Sequence, residues 1–317
     1  MINKKALIIG SEGQDGTLLK QLLNKKKYVV WGIGRNSEPK VNILLDKYIQ
    51  MDLAMDIFSD LTSVIKAFLP DEIYYIAAFH HSSQEVNFEI PSPDFINMSV
   101  KVNQISFIHL LEIVRCFSPI TKVLYTSTSL IYAGSNTKVQ DEDTLPAPRC
   151  IYSLTKIAAM GAASYYRDVF GIFVSVAIMY NHESIYRGEQ FLSKRIIRQT
   201  QDFINKKRDK IIIGDLHSIT DWGYAPDYVE ALWHMIQLSS PDNYIVSSGK
   251  EHKVQDWFDV LSKSLHLDWT GILEQNKKLI TRKRTTLIGN HAKLAATGWQ
   301  PKVTFDEMVM KIYYNKL

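Results

Sequence analysis

The chain has 317 residues, 46% of them hydrophobic and 22% charged, enough length and apolar content to bury a real core in one large domain or two. Its formal charge is +4 and its pI about 8.8, but the densest basic run, 206–210, is too short to read as a nucleic-acid stripe. Two cysteines, Cys116 and Cys150, exclude a disulfide framework and fit a reducing cytoplasm. The apolar run behind the first five residues is too short for a signal-peptide core or a membrane span.

Residues 6–9, Ala-Leu-Ile-Ile, read as a buried parallel strand ending in a glycine turn, and 18–23 as the helix that follows. A second strand is predicted at 28–33, and a third apolar strand precedes Asp52. Residues 72–78 and 122–126 give two more strands. Between them, 97–117 carry a helical period through Val100, Ile105, Ile108, Leu111 and Val114. Residues 151–170 form a long helix closed by Gly171, and 173–178 a further strand. This alternation specifies an α/β, Rossmann-type doubly wound parallel sheet with right-handed crossovers. From about residue 181 the pattern loosens into a short strand at 211–214, an amphipathic helix at 227–238 and small pieces through 301–313. The expected organisation is a dinucleotide-binding Rossmann domain over 1–180. A smaller C-terminal α/β substrate lobe covers 181–317, with some segments returning to the first domain.

Gly10, Gly13 and Gly16 fall immediately after the first strand and open a helix, spaced G-x-x-G-x-x-G. Glycines there permit a tight turn and let backbone N–H groups meet a pyrophosphate at the positive end of a helix. The end of the second strand should discriminate the cofactor. It carries Gly34-Arg35-Asn36-Ser37 and no carboxylate, which suits the 2′-phosphate of NADP, with NAD as the alternative; the weaker reading of Arg35 is an ordinary loop arginine. Asp52, before Leu53, could accept from an adenine amine or cap a helix.

Tyr152 and Lys156 stand four apart and share a helix face. A lysine near the phenol is expected to lower its pKa, making proton exchange with a sugar alcohol accessible while hydride passes to or from a nicotinamide. The hydroxyl cluster Thr126-Ser127-Thr128-Ser129 lies at a strand C-terminus, where doubly wound sheets build their sites, and Thr128 could hold the reacting hydroxyl. No metal site is expected: His80 and His81 are adjacent and their side chains diverge, so they more simply line the cofactor loop behind Ala77-Ala78.

These residues resemble the extended short-chain dehydrogenase/reductase superfamily, and within it the GDP-mannose 4,6-dehydratase family. The more specific matches are Gly13-Gln14-Asp15-Gly16, Asn181-His182-Glu183-Ser184 with Arg187-Gly188-Glu189, Asp221-Trp222-Gly223 leading to Asp227-Tyr228-Val229-Glu230-Ala231, and Gly298-Trp299. The resemblance implies that Thr128, Tyr152 and Lys156 are catalytic. It places Gly10, Gly13, Gln14, Asp15, Gly16, Arg35, Asn36, Asp52, Leu53, Ala77, His182 and Arg187 around the cofactor. Ser129, Asn181, Lys194 and Arg195 fall near the substrate, whose diphosphate suits basic side chains; without the resemblance Lys194 and Arg195 read as a solvated helix face. It also implies a GDP-linked sugar as substrate and a homodimer or homotetramer.

One departure weighs more than the matches. Where the family reads Ser-Thr-Ser-Glu, this chain reads Ser127-Thr128-Ser129-Leu130. The family's glutamate does proton work in eliminating water across C5 and C6, and leucine has no proton to exchange. Well-placed acid–base groups contribute about 10²–10⁴-fold. Thr220 replaces a usual arginine, and Tyr132-Ala133-Gly134 the usual Tyr-Gly. Three functions follow. One is a dehydratase with Glu142, Asp143 or Glu183 substituting. Another is a 4-ketosugar reductase or C4 epimerase without dehydration. The last is a non-catalytic NADP-binding protein, which the intact Tyr152/Lys156 pair disfavours.

Overall fold

The computed structural model describes residues 3–39, 45–80, 92–280 and 286–317. The first half builds β1 (Lys5–Ile9), α1 (Gln14–Lys25), β2 (Val29–Gly34), β3 (Lys47–Gln50), α2 (Phe58–Phe68), β4 (Glu72–Tyr75), α3 (Pro93–Val100), α4 (Ser106–Phe117) and β5 (Lys122–Thr128). A two-residue β6 (Val139–Gln140) precedes α5 (Ile151–Phe170), β7 (Val174–Met179) and β8 (Asn181–Glu183). The remainder holds α6 (Leu192–Ile204), β9 (Ile211–Ile213), β10 (Ile219–Tyr224), α7 (Ala225–Gln237), β11 (Asn243–Val246) and β12 (Glu251–Lys253). The chain closes with α8 (Val254–Leu265), β13 (Leu273–Gln275), β14 (Ile288–Gly289), α9 (Ala292–Ala295) and α10 (Phe305–Tyr313).

Seven parallel strands form the central sheet in the order β11-β7-β5-β4-β1-β2-β3. Apolar residues on both faces of β1 explain why it lies inside. Ala6 and Ile8 join Leu18 and Leu19 of α1 and Leu232 of α7, while Leu7 and Ile9 join Leu61 of α2, Leu110 of α4 and Ala159 of α5. The order reverses between β1 and β4, so the crevice at their C-terminal ends is the switch point where such sheets bind ligands.

Several boundaries differ from the sequence-based expectation, α1 among them, at Gln14–Lys25 against the expected 18–23. The strand at 72–78 stops at Tyr75, because Ile76 and Ala77 turn to donate to the Ile9 carbonyl. The strand at 122–126 runs on to Thr128, paired to Met179, so the hydroxyl cluster belongs largely to the strand. The helix at 97–117 starts at Pro93 and is interrupted by a π-helical turn, Lys101–Ile105, a bulge type common at functional sites.

A third core gathers Ile196 of α6, Ile211, Trp222, Trp257, Phe258, Phe305 and Met308. Trp222 meets Trp257 edge-on at 5.8 Å. Here β8, β10 and β12 form a small sheet, with β8 and β10 in parallel register His182 to Gly223. The segment through α7 and β11 returns to the central sheet, β11 pairing with β7. Two aspartates tie these parts together. Buried Asp221 accepts from Ser248 N, Ser248 Oγ, Gly249 N and Gly289 N. Asp227 Oδ2 accepts from Lys302 N and Val303 N, and its carbonyl from Trp299 Nε1.

Candidate active site

The glycine turn fits a dinucleotide pyrophosphate. Gly10 has φ +98°, and a Cβ there would lie 2.6 Å from Ala77 N. A Cβ on Gly16 would lie 2.7 Å from Ser11 Cα. Only glycine allows this approach of turn, strand and helix. Gly13 is the N-cap of α1 and offers no side-chain cap. The first N–H groups of the helix therefore remain available to an anion, at the positive end of its dipole.

Gln14 and Asp15 reach away from the turn to the strand carrying His182. Gln14 Nε2 donates to His182 O at 3.1 Å, and Ser184 Oγ donates to Gln14 Oε1 at 2.8 Å. His182 Nε2 lies 3.0 Å from each Asp15 oxygen, its Nδ1 lies 2.7 Å from Tyr180 O, and its ring stacks on Tyr228 at 5.0 Å. Burial works against both charges. The opposite charge and hydrogen bond outweigh it, holding Asp15 below its ordinary pKa and His182 above. Arg187 pairs with Glu183 Oε2 at 3.3 Å and lies over Phe191 at 3.6 Å.

Tyr152 and Lys156 lie on the first turns of α5, facing the end of β5. Lys156 is fully buried; its Nζ donates to Thr126 O at 2.7 Å and lies 5.7 Å from the Tyr152 ring centre. Burial pushes this lysine down to about 7. The expected lowering of the Tyr152 pKa is not what the fold produces. Burial raises it, helped by Cys150 and Asp15 and opposed by Arg187, so the phenol holds its proton at neutral pH.

Thr128 Oγ1 accepts from Leu130 N at 3.3 Å and starts a 3₁₀ turn, Ser129–Tyr132, in which Ser129 is buried and Leu130 half-buried. The acids considered as substitutes are engaged elsewhere or exposed. Glu142 accepts from Ile245 N at 2.7 Å, Glu183 accepts from Ser193 Oγ at 2.5 Å beside Arg187, and Asp143 is exposed.

Sequence reasoning missed Asn103. It is fully buried on the π turn, accepts from Phe79 N at 2.8 Å, and donates to Phe79 O and Thr155 Oγ1. Tyr125 Oη donates to its carbonyl at 2.6 Å. Asn103 thus ties the loop after β4 to the helix carrying Tyr152. An amide inside an otherwise apolar helical period was the available signal. His80 packs on Tyr152 with ring centres 4.4 Å apart, and His81 lies outside the described residues. Among the described residues no three His, Cys, Asp or Glu side chains converge on a metal position.

At the end of β2, Arg35 is exposed and Asn36 half-buried, its carbonyl accepting from Tyr48 Oη at 2.9 Å. Asp52 forms a local turn, accepting from Ala54 N at 3.0 Å, and neighbouring Leu53 is buried. Asp52 does not cap α2, which starts six residues later at Phe58. On the other side of the crevice, Asn181 is exposed at the start of β8. Lys194 Nζ donates to Ile185 O at 3.1 Å. Arg195 is half-buried in the first turn of α6; burial and Arg198 lower its pKa, and no carboxylate lies within ion-pair distance among the described residues.

The doubly wound sheet, the glycine turn at its switch point and the Tyr/Lys pair beside it define an NAD(P)-dependent short-chain dehydrogenase/reductase of the nucleotide-sugar class. The family model "GDP-mannose 4,6 dehydratase" matches residues 7–312, and the chain belongs to that family. GDP-mannose 4,6 dehydratase 2 of Arabidopsis thaliana is 33% identical over 96% of this chain and 85% of its own. A GDP-mannose 4,6-dehydratase of Vibrio cholerae is 31% identical over 100% of this chain and 94% of its own. Among solved structures, dTDP-glucose 4,6-dehydratase from Bacillus anthracis in complex with NAD superposes with TM-score 0.80 at 18% identity, covering 98% of this chain and 96% of that one. UDP-glucose 4-epimerase from Thermotoga maritima with UDP-glucose gives 0.80 at 20%, with 98% of each chain covered. At such identity these two likenesses speak for the fold alone.

Proposed function

We propose that this enzyme exchanges hydride at C4 of a GDP-linked hexose or heptose without eliminating water, as a 4-ketosugar reductase or C4 epimerase. The observation carrying this reading is Leu130. By the resemblance read from the sequence it takes the position of the family's acid–base glutamate, two residues past Thr128, while Glu142 and Glu183 are engaged with other groups. Nicotinamide supplies or accepts the hydride. The protein's own part is the proton. Tyr152 holds one on its phenol oxygen for a C4 carbonyl, which favours the reductive direction, and Lys156 titrates close enough to neutrality to replace it. Thr128 and Ser129 are proposed to orient the C4 oxygen.

Residues 1–180 form most of the proposed cofactor part and 181–317 most of the substrate part, with α7 and β11 returning to the first. Arg195, with Lys194 and Asn181, is the proposed contact for the diphosphate. Two cations in the first turn of a helix oppose its dipole, and an anion there relieves them. Gly10, Gly13, Gln14, Asp15, Gly16, Ala77, His182 and Arg187 are assigned to the pyrophosphate and nicotinamide, and Asp52 with Leu53 to adenine. Arg35 and Asn36 favour NADP at the adenine ribose. Exposed Leu154, Tyr165 and Val169 on α5 give an apolar face for a homodimer or homotetramer. A cytoplasmic setting fits the free thiols Cys116 and Cys150; no helix among the described residues is long and apolar enough to cross a membrane.

The breadth of the family match supports the second reading, a dehydratase. Incubation with GDP-mannose separates the two: the absence of a 4-keto-6-deoxy product is expected, and robust turnover would overturn the redox-only reading.

A further inference from the structure

The corner that meets the adenine ribose contains a carboxylate the strand-end motif does not show. Glu12 lies inside the glycine turn, yet its side chain folds back over the end of β2. A Cβ on Gly34 would come within 2.8 Å of Glu12 Cγ and 2.5 Å of Tyr48 Oη. Ser11 Oγ lies 3.2 Å from Glu12 Oε1. The Glu12 charge helps burial raise the pKa of Tyr48, whose hydroxyl donates to Asn36 O. Glu12 therefore occupies the same corner as Gly34 and Asn36.

Its charge has a counter-ion. Lys20, one helical turn and a half into α1, is buried on every side, and its Nζ meets Glu12 Oε1 at 3.4 Å. The Glu12 side chain is 10% exposed and that of Lys20 0%. This lysine fixes the carboxylate in place but has no surface to offer a ligand. Arg35, the cation that reads as a 2′-phosphate partner, is exposed, and an exposed cation is screened by water and salt. A buried carboxylate is screened far less.

We infer that Glu12 sets the cofactor preference, accepting a hydrogen bond from a free 2′-hydroxyl and repelling a 2′-phosphate, so that the chain takes NAD in preference to NADP. The inference rests on the glycine turn being the cofactor site. It reverses the preference read from Arg35 and Asn36 alone. Lys20 is a positioning residue in this scheme, touching Glu12 and not the ribose.

The test is calorimetric titration of the purified protein and its Glu12→Gln variant with NAD and with NADP. The wild type is expected to bind NAD at least tenfold more tightly. Glu12→Gln removes the charge and keeps the shape, and is expected to strengthen NADP binding at least tenfold while changing NAD binding less. Tighter or equal binding of NADP by the wild type overturns the inference, as does an unchanged NAD-to-NADP ratio in a folded Glu12→Gln. Binding of neither dinucleotide to the wild type would refute the cofactor reading of the turn itself, a result distinct from both. Arg35→Ala serves as a second arm: it is expected to weaken NADP only and to leave the NAD preference standing.

Discussion

Replacing Lys156 by Met tests how the fold treats its buried cation. Lys156 is fully buried with one backbone acceptor, and burial brings its pKa from the ordinary 10.5 to about 7. At about 1.4 kcal/mol per unit, holding the protonated form in the fold costs about 5 kcal/mol as an order of magnitude. The direction of the pH effect follows from proton counts. Between pH 7 and 10.5 the unfolded chain keeps this proton and the folded chain sheds it, so stability rises with pH across that window. Below 7 both states carry the proton and the contribution is flat. Lys156→Met removes the slope, and loss of the bond to Thr126 adds only a pH-independent offset. Thermal unfolding of both proteins from pH 6 to 9.5, at constant ionic strength, reads the difference. The wild type should gain on the variant by about 2 °C per pH unit above pH 7, from about 1.4 kcal/mol per pH unit and roughly 1.5 °C per kcal/mol for a chain of 317 residues. Curves that stay parallel would refute the buried, near-neutral lysine.

Tyr152→Phe removes the proposed proton donor and leaves the ring against His80; hydride transfer should fall at least about 10²-fold with dinucleotide affinity little changed, measured by steady-state kinetics and titration. Asp15→Asn breaks the partly buried pair with His182 and should cost about 2 kcal/mol in denaturant unfolding. That loss should be largest between pH 3.8 and 6.5. Asp15's contribution is present above 3.8 and fades as pH falls through its lowered folded pKa. His182's contribution is present below 6.5 and fades as pH rises through its raised folded pKa. Leu130→Glu places a carboxylate where the resemblance puts the family's glutamate. It should confer measurable 4-keto-6-deoxy product formation from GDP-mannose, and a folded variant without it would shift responsibility from Leu130 to the rest of the site.

The sheet was legible because its strands are short apolar runs between glycine and helical punctuation. β1, α5 and β7 lie close to where periodicity places them, since burial on both faces leaves β1 and β7 no polar alternation to obscure. The π turn was not legible. Its residues keep an apolar period, and only the tertiary bonds of Asn103 show why the helix bulges there. The Tyr152/Lys156 pair was visible as a spacing, but the direction of its pKa shifts was not, because burial is a property of the packed fold. Glu12 was hidden for a similar reason. It lies 22 residues before Gly34 in the chain, and only the close approach of turn to strand makes them neighbours.

The central claim is reversible hydride exchange at C4 by a site that has lost the dehydration step. Its most direct measurement supplies a GDP-4-keto-6-deoxyhexose with reduced nicotinamide cofactor and follows the nicotinamide absorbance, alongside Tyr152→Phe. Absorbance should fall with the wild type, with a C4 alcohol as product, and stay level with the variant. A 4-ketosugar left unreduced by the wild type with either NADH or NADPH would contradict the account.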